Sequence, residues 1–203
     1  MNPSTTALIL IGFQGDYFNT DGVLHGLLED SAETRAVLHR TLGLLESLRD
    51  SDVAIITTPI IFSTDYSEVR QTDGLLVAIR EAEAFKAGSS GAETVDELRA
   101  FGDRIQEIPG KRGFNAFAET ELGRVLLDAS IKSVVIAGAV TSICIDSTAR
   151  EAYERGMQVT ILSDCTAARS SVEQEFFCTT IFPAYATVCT ADEIVANLIQ
   201  GAH

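Results

Sequence analysis

Apolar runs alternate with amphipathic stretches along this chain. Thr6–Ile11 (TALILI) is continuously apolar and too short for a stable helix, so it fits a strand buried on both faces. Asp52–Thr58 (DVAIITT), Lys132–Ala137 (KSVVIA) and Gln158–Leu162 (QVTIL) read the same way, the second and third closed by Pro59 and Gly138. Thr187–Cys189 is a shorter strand and Arg104–Ile108 a weaker one. Between them, apolar residues recur at helical spacing. Ser31–Asp50 places Val37, Leu38, Leu42, Leu45 and Leu48 on one broad face; Glu119–Ala129 carries Leu122, Val125 and Leu126. Ile143–Arg155 carries Ile145, Ala149 and Ala152, with Gly156 as its stop. Val172–Phe182 and Ala191–Ile199 complete the set. Strands alternating with helices over short connections predict an α/β fold: a three-layer αβα sandwich around a mostly parallel, Rossmann-like sheet of about six strands. Ligands of such sheets bind at the carboxyl ends of the strands.

One stretch breaks the pattern. Tyr66–Gly102 is charged, rich in Ala, Glu and Gly, and contains GSSG at Gly88–Gly91. It reads as a mobile insertion or lid (66–102) with one short helix near Gly74–Ala84, or as a solvated surface loop. The 203 residues otherwise suit one domain, 1–203.

Charge and composition narrow the function. Fifteen Lys and Arg stand against 29 Asp and Glu, a formal net charge of −14. Such a field repels nucleic-acid phosphates and anionic membranes, which leaves a small molecule as the expected partner. No apolar run reaches the roughly 18 residues of a membrane span, and no basic residue precedes the first apolar stretch, so a cytoplasmic protein is expected. Cys144, Cys165, Cys178 and Cys189 show no metal-type spacing and read as free thiols. His25, His39 and His203 form no HxH or HxxxH, so neither a metal nor a cofactor is expected. GFQGDYF after the first strand lacks the GxGxxG of a dinucleotide site.

Two residues stand out chemically. Cys144, in GAVTSICIDSTA, follows a strand and lies in the first turn of a helix, at the sheet edge where active sites form. A helix N-terminus favours the thiolate, and its free N–H groups stabilise an oxyanion. The plainer alternative is a buried structural cysteine. Lys111, in PGKRGFNAF, lies between a weak strand and a helix. An ammonium there would lower the thiol's pKa; alone, the segment reads as an exposed loop lysine.

Taken together, these segments resemble the isochorismatase-like cysteine hydrolases, which include nicotinamidases and N-carbamoylsarcosine amidase-type enzymes. ALILIGFQGDYF resembles the family's opening strand, KRGFNAF its lysine motif, and GAVTSICIDSTAREAYERGMQVTILSDCTA its longest signature. The resemblance covers nearly the whole chain. It implies that Cys144 is a nucleophile, Lys111 its triad lysine, Ala139–Val140 a cis peptide, and the N–H groups of Val140 and Cys144 an oxyanion hole. It also implies a homo-oligomer, dimer or tetramer.

The chain departs from that pattern at one place. The family's catalytic Asp ends the first strand; here the position is Gly12. Asp16 is the nearest substitute in sequence, with Asp21 and Asp65 weaker, and Lys111 with the helix terminus is another route to a thiolate. The resemblance thus implies a hydrolase of a small amide, carbamoyl or related C–N compound through an acyl-enzyme, with activity reduced or rerouted. The alternative is a catalytically impaired member that binds a small molecule or regulates. TTPIIFSTDYSE holds Asp65 but no His, unlike metal-dependent relatives. Phe13, Gln14, Tyr17 and Phe18 after the first strand, Phe62 after the second, and Phe114 and Phe117 beside Lys111 are the candidate substrate contacts.

Overall fold

The computed structural model describes residues 1–28 and 31–200. In chain order the elements are β1 (Thr6–Ile11), α1 (Gly15–Phe18), α2 (Ser31–Ser47), β2 (Ala54–Thr58), α3 (Leu75–Glu81), α4 (Asp96–Arg99), β3 (Gln106–Glu107), α5 (Leu122–Asp128), β4 (Ser133–Ala139), α6 (Asp146–Glu154), β5 (Gln158–Ala167), α7 (Ser171–Phe176), β6 (Thr187–Cys189) and α8 (Ala191–Gln200). The six strands form one sheet in the order β3-β2-β1-β4-β5-β6, every ladder parallel.

Strand alternation divides the core into two faces. Leu8, Leu10, Ile55, Val135 and Ala137 point to one side, where Val37, Leu44 and Leu45 of α2 and Ile194 and Leu198 of α8 cover them. Ala7, Ile9, Ile11, Ile56 and Ile136 point to the other, covered by Leu122 and Leu126 of α5 and Ala149 and Ala152 of α6. All six β1 residues are buried, as a continuous apolar run in a central parallel strand requires. No helix among the described residues is long and apolar enough to cross a membrane.

Local chemistry moves several boundaries from those the sequence predicts. Glu119 adopts φ +57°, and Thr120 Oγ1 accepts the Leu122 N–H, so α5 starts at Leu122 rather than Glu119. β5 runs five residues beyond the apolar QVTIL, through Ser163–Ala167, because a register shift beside Gly138 re-pairs it with the end of β4. The helix holding Cys144 opens earlier than Ile143, on a wide π-type turn over Thr141–Ile145. Val172–Phe182 is likewise not one α-helix: α7 ends at Phe176 and a second wide turn covers Phe177–Ile181.

Residues 66–102 are not a free surface loop. Besides α3 they hold the short α4, and Ile79, Phe85, Val95 and Leu98 are buried in the core. Backbone bonds fasten them to the exit of β1: Gly15 N–H to Glu93 O (3.0 Å), Asp16 N–H to Gly91 O (2.8 Å) and Val95 N–H to Phe13 O (3.0 Å).

Candidate active site

The loops leaving β1, β2, β3 and β4 converge at the carboxyl edge of the sheet. Gly138 sets their spacing: at φ +128° it brings β4 so close to β1 that a Cβ there would overlap Ile11 O at 1.8 Å. Only glycine tolerates that approach. The next peptide bond, Ala139–Val140, is cis. Val140 O accepts the N–H groups of Ile143 (3.0 Å) and Ile145 (3.2 Å), which closes the turn carrying Cys144. Thr141 Oγ1 donates to Gln174 Oε1 at 2.6 Å, and Gln174 Nε2 donates to Ser163 O at 2.9 Å, so α7 braces this turn from outside.

Cys144 is 7% exposed and Lys111 1%. Lys111 follows β3, bridges to Ile60 past the end of β2, and sends its Nζ inward. Nζ donates to Gly113 O at 2.6 Å and to Cys144 Sγ at 3.6 Å. Among the described residues no carboxylate forms an ion pair with Lys111. Ala116 N–H donates to Thr148 Oγ1 of α6 (3.0 Å), tying the Lys111 loop to the helix that follows Cys144.

Burial acts on three of the thiols. It pushes Cys165 up to about 12, and Cys178 and Cys189 each to about 11. Those three stay protonated near neutral pH.

A cavity of about 10 Å³, roughly one water molecule, lies over Cys144. Gly12, Tyr17, Ile60, Lys111, Phe114, Ala139, Ile143 and Cys144 line it together with Leu75, Ile79 and Phe85 of the 66–102 segment. Of the side chains lining it, only those of Tyr17, Lys111 and Cys144 are polar.

Of the substrate contacts expected from sequence, Tyr17 and Phe114 line this cavity and the others do not. Phe13 is 1% exposed and stacks on Phe18 with centroids 5.0 Å apart, within the core. Phe62 packs on Tyr66 at 5.6 Å. Phe117 belongs to the core on the other face, its ring under the Arg155 guanidinium at 4.8 Å. Gln14 spends its amide on the fold: Nε2 donates to Ile60 O (2.8 Å) and Ala92 O (2.6 Å), and Oε1 accepts the Ile60 N–H (2.9 Å). Near-neighbours in sequence thus diverge in space, because the chain turns from β1 into the short helix α1 across them. The apolar lining from 66–102 went unrecognised, since a short amphipathic helix between charged loops carries no sign of what it packs against.

Asp16 is buried but does not line the cavity. Its Oδ2 accepts the Phe85 N–H at 2.6 Å and Oδ1 the Val23 N–H at 3.5 Å, so its carboxylate clamps the 66–102 segment. Asp65 is exposed, held by Ser63 Oγ at 2.7 Å, which keeps its carboxyl below the usual range. At Gly12 the backbone has φ +71°, and a Cβ would stand 2.6 Å from Ala139 O and 3.5 Å from Tyr17 Cε2. Arg112 Nε donates to Glu68 at 3.1 Å, and Ser63 Oγ donates to the same carboxylate at 2.6 Å.

A six-stranded parallel sheet with helices on both faces, and a buried cysteine and lysine at its carboxyl edge, is the α/β arrangement that the motifs suggested. Residues 6–193 match the isochorismatase domain, and the chain belongs to that family. It is 23% identical over 199 residues to nicotinamidase 3 of Arabidopsis thaliana, covering 98% of this chain and 91% of that protein. It is 26% identical over 178 residues to the ureidoacrylate amidohydrolase RutB of Caulobacter segnis, covering 82% and 74%. Among solved structures, a cysteine hydrolase from Pseudomonas syringae pv. phaseolicola superposes with TM-score 0.87 at 22% identity, over 99% of this chain and 95% of that one.

Proposed function

We propose that the protein hydrolyses a small, uncharged amide, carbamoyl or related C–N compound, with Cys144 as nucleophile. The observation that carries this is the buried Lys111, whose Nζ donates to Gly113 O and Cys144 Sγ. A buried cation needs a counter-charge. With no carboxylate paired to Lys111 among the described residues, the proposal assigns that counter-charge to Cys144 as a thiolate. The names of two relatives, a nicotinamidase and an amidohydrolase, point to the same bond type.

The chemistry runs through a thioester. Cys144 S⁻ attacks the carbonyl carbon, and the N–H groups of Val140 and Cys144 hold the oxyanion. The C–N bond breaks, the nitrogen leaves with a proton, and water then cleaves the thioester to release the acid and restore the thiolate. The lining supports an uncharged substrate: Lys111 is its only cation, and Arg112 is engaged by Glu68. A cavity of about 10 Å³ holds no substrate as it stands, so binding requires its lining to part.

One observation favours a second reading. With Gly12 in the carboxylate's place, the same cavity would bind a small molecule without turning it over. Incubation with primary amides and N-carbamoyl compounds, followed by intact-protein mass spectrometry, separates the two. An acyl adduct lost in Cys144→Ala supports the hydrolase. Binding that survives Cys144→Ala, with no adduct and no product, supports the second reading.

A further inference from the structure

The breaking C–N bond needs a proton on nitrogen, and residue 12 has no group to give one. Two polar side chains near the thiol are already engaged. Lys111 Nζ is held by Gly113 O and Cys144 Sγ. The Asp16 carboxylate, outside the cavity, accepts the Phe85 N–H.

Tyr17 is different. Its ring lies in the direction a residue-12 side chain would take, with Cε2 3.5 Å from the Cβ position of Gly12. It lines the cavity together with Lys111 and Cys144. Its main chain is fixed by its N–H to Gln14 O (3.1 Å) and by a 3.2 Å contact of its carbonyl with His25 Nδ1. Its ring packs on Phe85 at 5.1 Å. Its hydroxyl makes no hydrogen bond to a side chain or carbonyl among the described residues and is not one of the sealed, unpartnered polar atoms, which leaves it open to a substrate.

We propose that the Tyr17 hydroxyl is the proton donor to the leaving nitrogen, doing from residue 17 what a carboxylate at residue 12 would otherwise do. The proposal rests on the hydrolase reading above. Burial, with the nearby Cys144 and Asp16, raises the phenol above its ordinary value, so it enters the reaction protonated and gives up its proton only to the strongly basic nitrogen of the breaking C–N bond. The protons balance over one turnover. As the C–N bond breaks, its electron pair takes the Tyr17 proton, and the amine leaves with a tyrosinate behind it. Water then attacks the thioester carbonyl carbon and gives a proton to the tyrosinate. The C–S bond breaks, the acid departs, and the Cys144 thiolate and Tyr17 phenol are restored.

The test is Tyr17→Phe, read on acylation of Cys144 by two substrates sharing one short acyl group. The primary amide needs a proton on its leaving nitrogen; the 4-nitrophenyl ester does not, because its leaving group departs as a stabilised anion. Loss of a general acid should slow acylation by the amide about 10²–10⁴-fold while ester acylation changes by less than about threefold. The rate of Cys144 alkylation by iodoacetamide, measured alongside, should be unchanged. Equal losses on both substrates would mean the ring only shapes the site and would overturn the proposal. So would no loss on either. Failure of the unmodified protein to acylate with either substrate would overturn the hydrolase reading and this proposal with it.

Discussion

Gly12 and Ala139 face each other across the junction of β1 and β4: a Cβ on residue 12 would meet Ala139 O at 2.6 Å, with the backbone at φ +71°. The carboxylate is therefore not merely absent from the sequence. The backbone has taken a conformation in which an aspartate at this position would be strained.

Restoring the carboxylate should accordingly fail to restore a triad. A side chain in the left-handed region costs about 1–2 kcal/mol, which lowers Tm by about 2–8 °C for a chain of this size. Gly12→Asp and Gly12→Ala should lose similar stability in thermal melts, and neither should gain turnover. A Gly12→Asp protein that melts normally and turns over at least tenfold faster would show that the loop readjusts.

The proposed function has Lys111 set the reactivity of Cys144, 3.6 Å from its Nζ. With the other three thiols raised by burial to about 11 or 12, iodoacetamide at neutral pH should label Cys144 first. Lys111→Met keeps the stem and removes the charge. It should slow that labelling about tenfold or more, since one unit of thiol pKa corresponds to a tenfold change in thiolate. Site-resolved mass spectrometry reads both the order and the rate, and unchanged labelling would count against the ion pair.

Asp16 tests whether a second carboxylate carries protons. Its Oδ2 accepts the Phe85 N–H at 2.6 Å, so Asp16→Ala leaves a buried donor unpaired at a cost of about 1–3 kcal/mol. Stability in urea should fall while turnover per folded molecule stays within a few-fold. A loss of turnover with unchanged stability would reassign Asp16 to the chemistry.

Glu68 should make stability depend on acid. The Ser63 hydroxyl first, with the Ser63 N–H and Arg112 adding to it, holds its carboxyl down to about 2 from an ordinary 4.5. A depressed folded-state value stabilises above the unfolded one, and that contribution disappears as pH falls through the window from about 4.5 to about 2. Glu68→Gln should therefore melt lower than the unmodified protein at pH 7, and the gap should close across that window. A gap independent of pH would mean that packing, not charge, accounts for it.

The sequence by itself determined the sheet and singled out the candidate site positions. Apolar runs such as Thr6–Ile11 can satisfy their backbone and bury both faces only inside a parallel sheet, so the α/β architecture was legible. Cys144 and Lys111 were legible from local motifs, and Gly12 was legible as a gap in one. Only tertiary structure decided which aromatic rings reach the cavity. Phe13 and Tyr17 lie four residues apart in one core cluster, yet only Tyr17 lines the cavity beside Cys144. It also decided that Asp16 and Gln14 serve the fold, through bonds to residues as distant as Phe85 and Ala92, and that Leu75, Ile79 and Phe85 line the site. Hydrophobic periodicity records that a side chain is buried. It does not record against what, because contacts across long loops depend on where the whole chain brings those loops together.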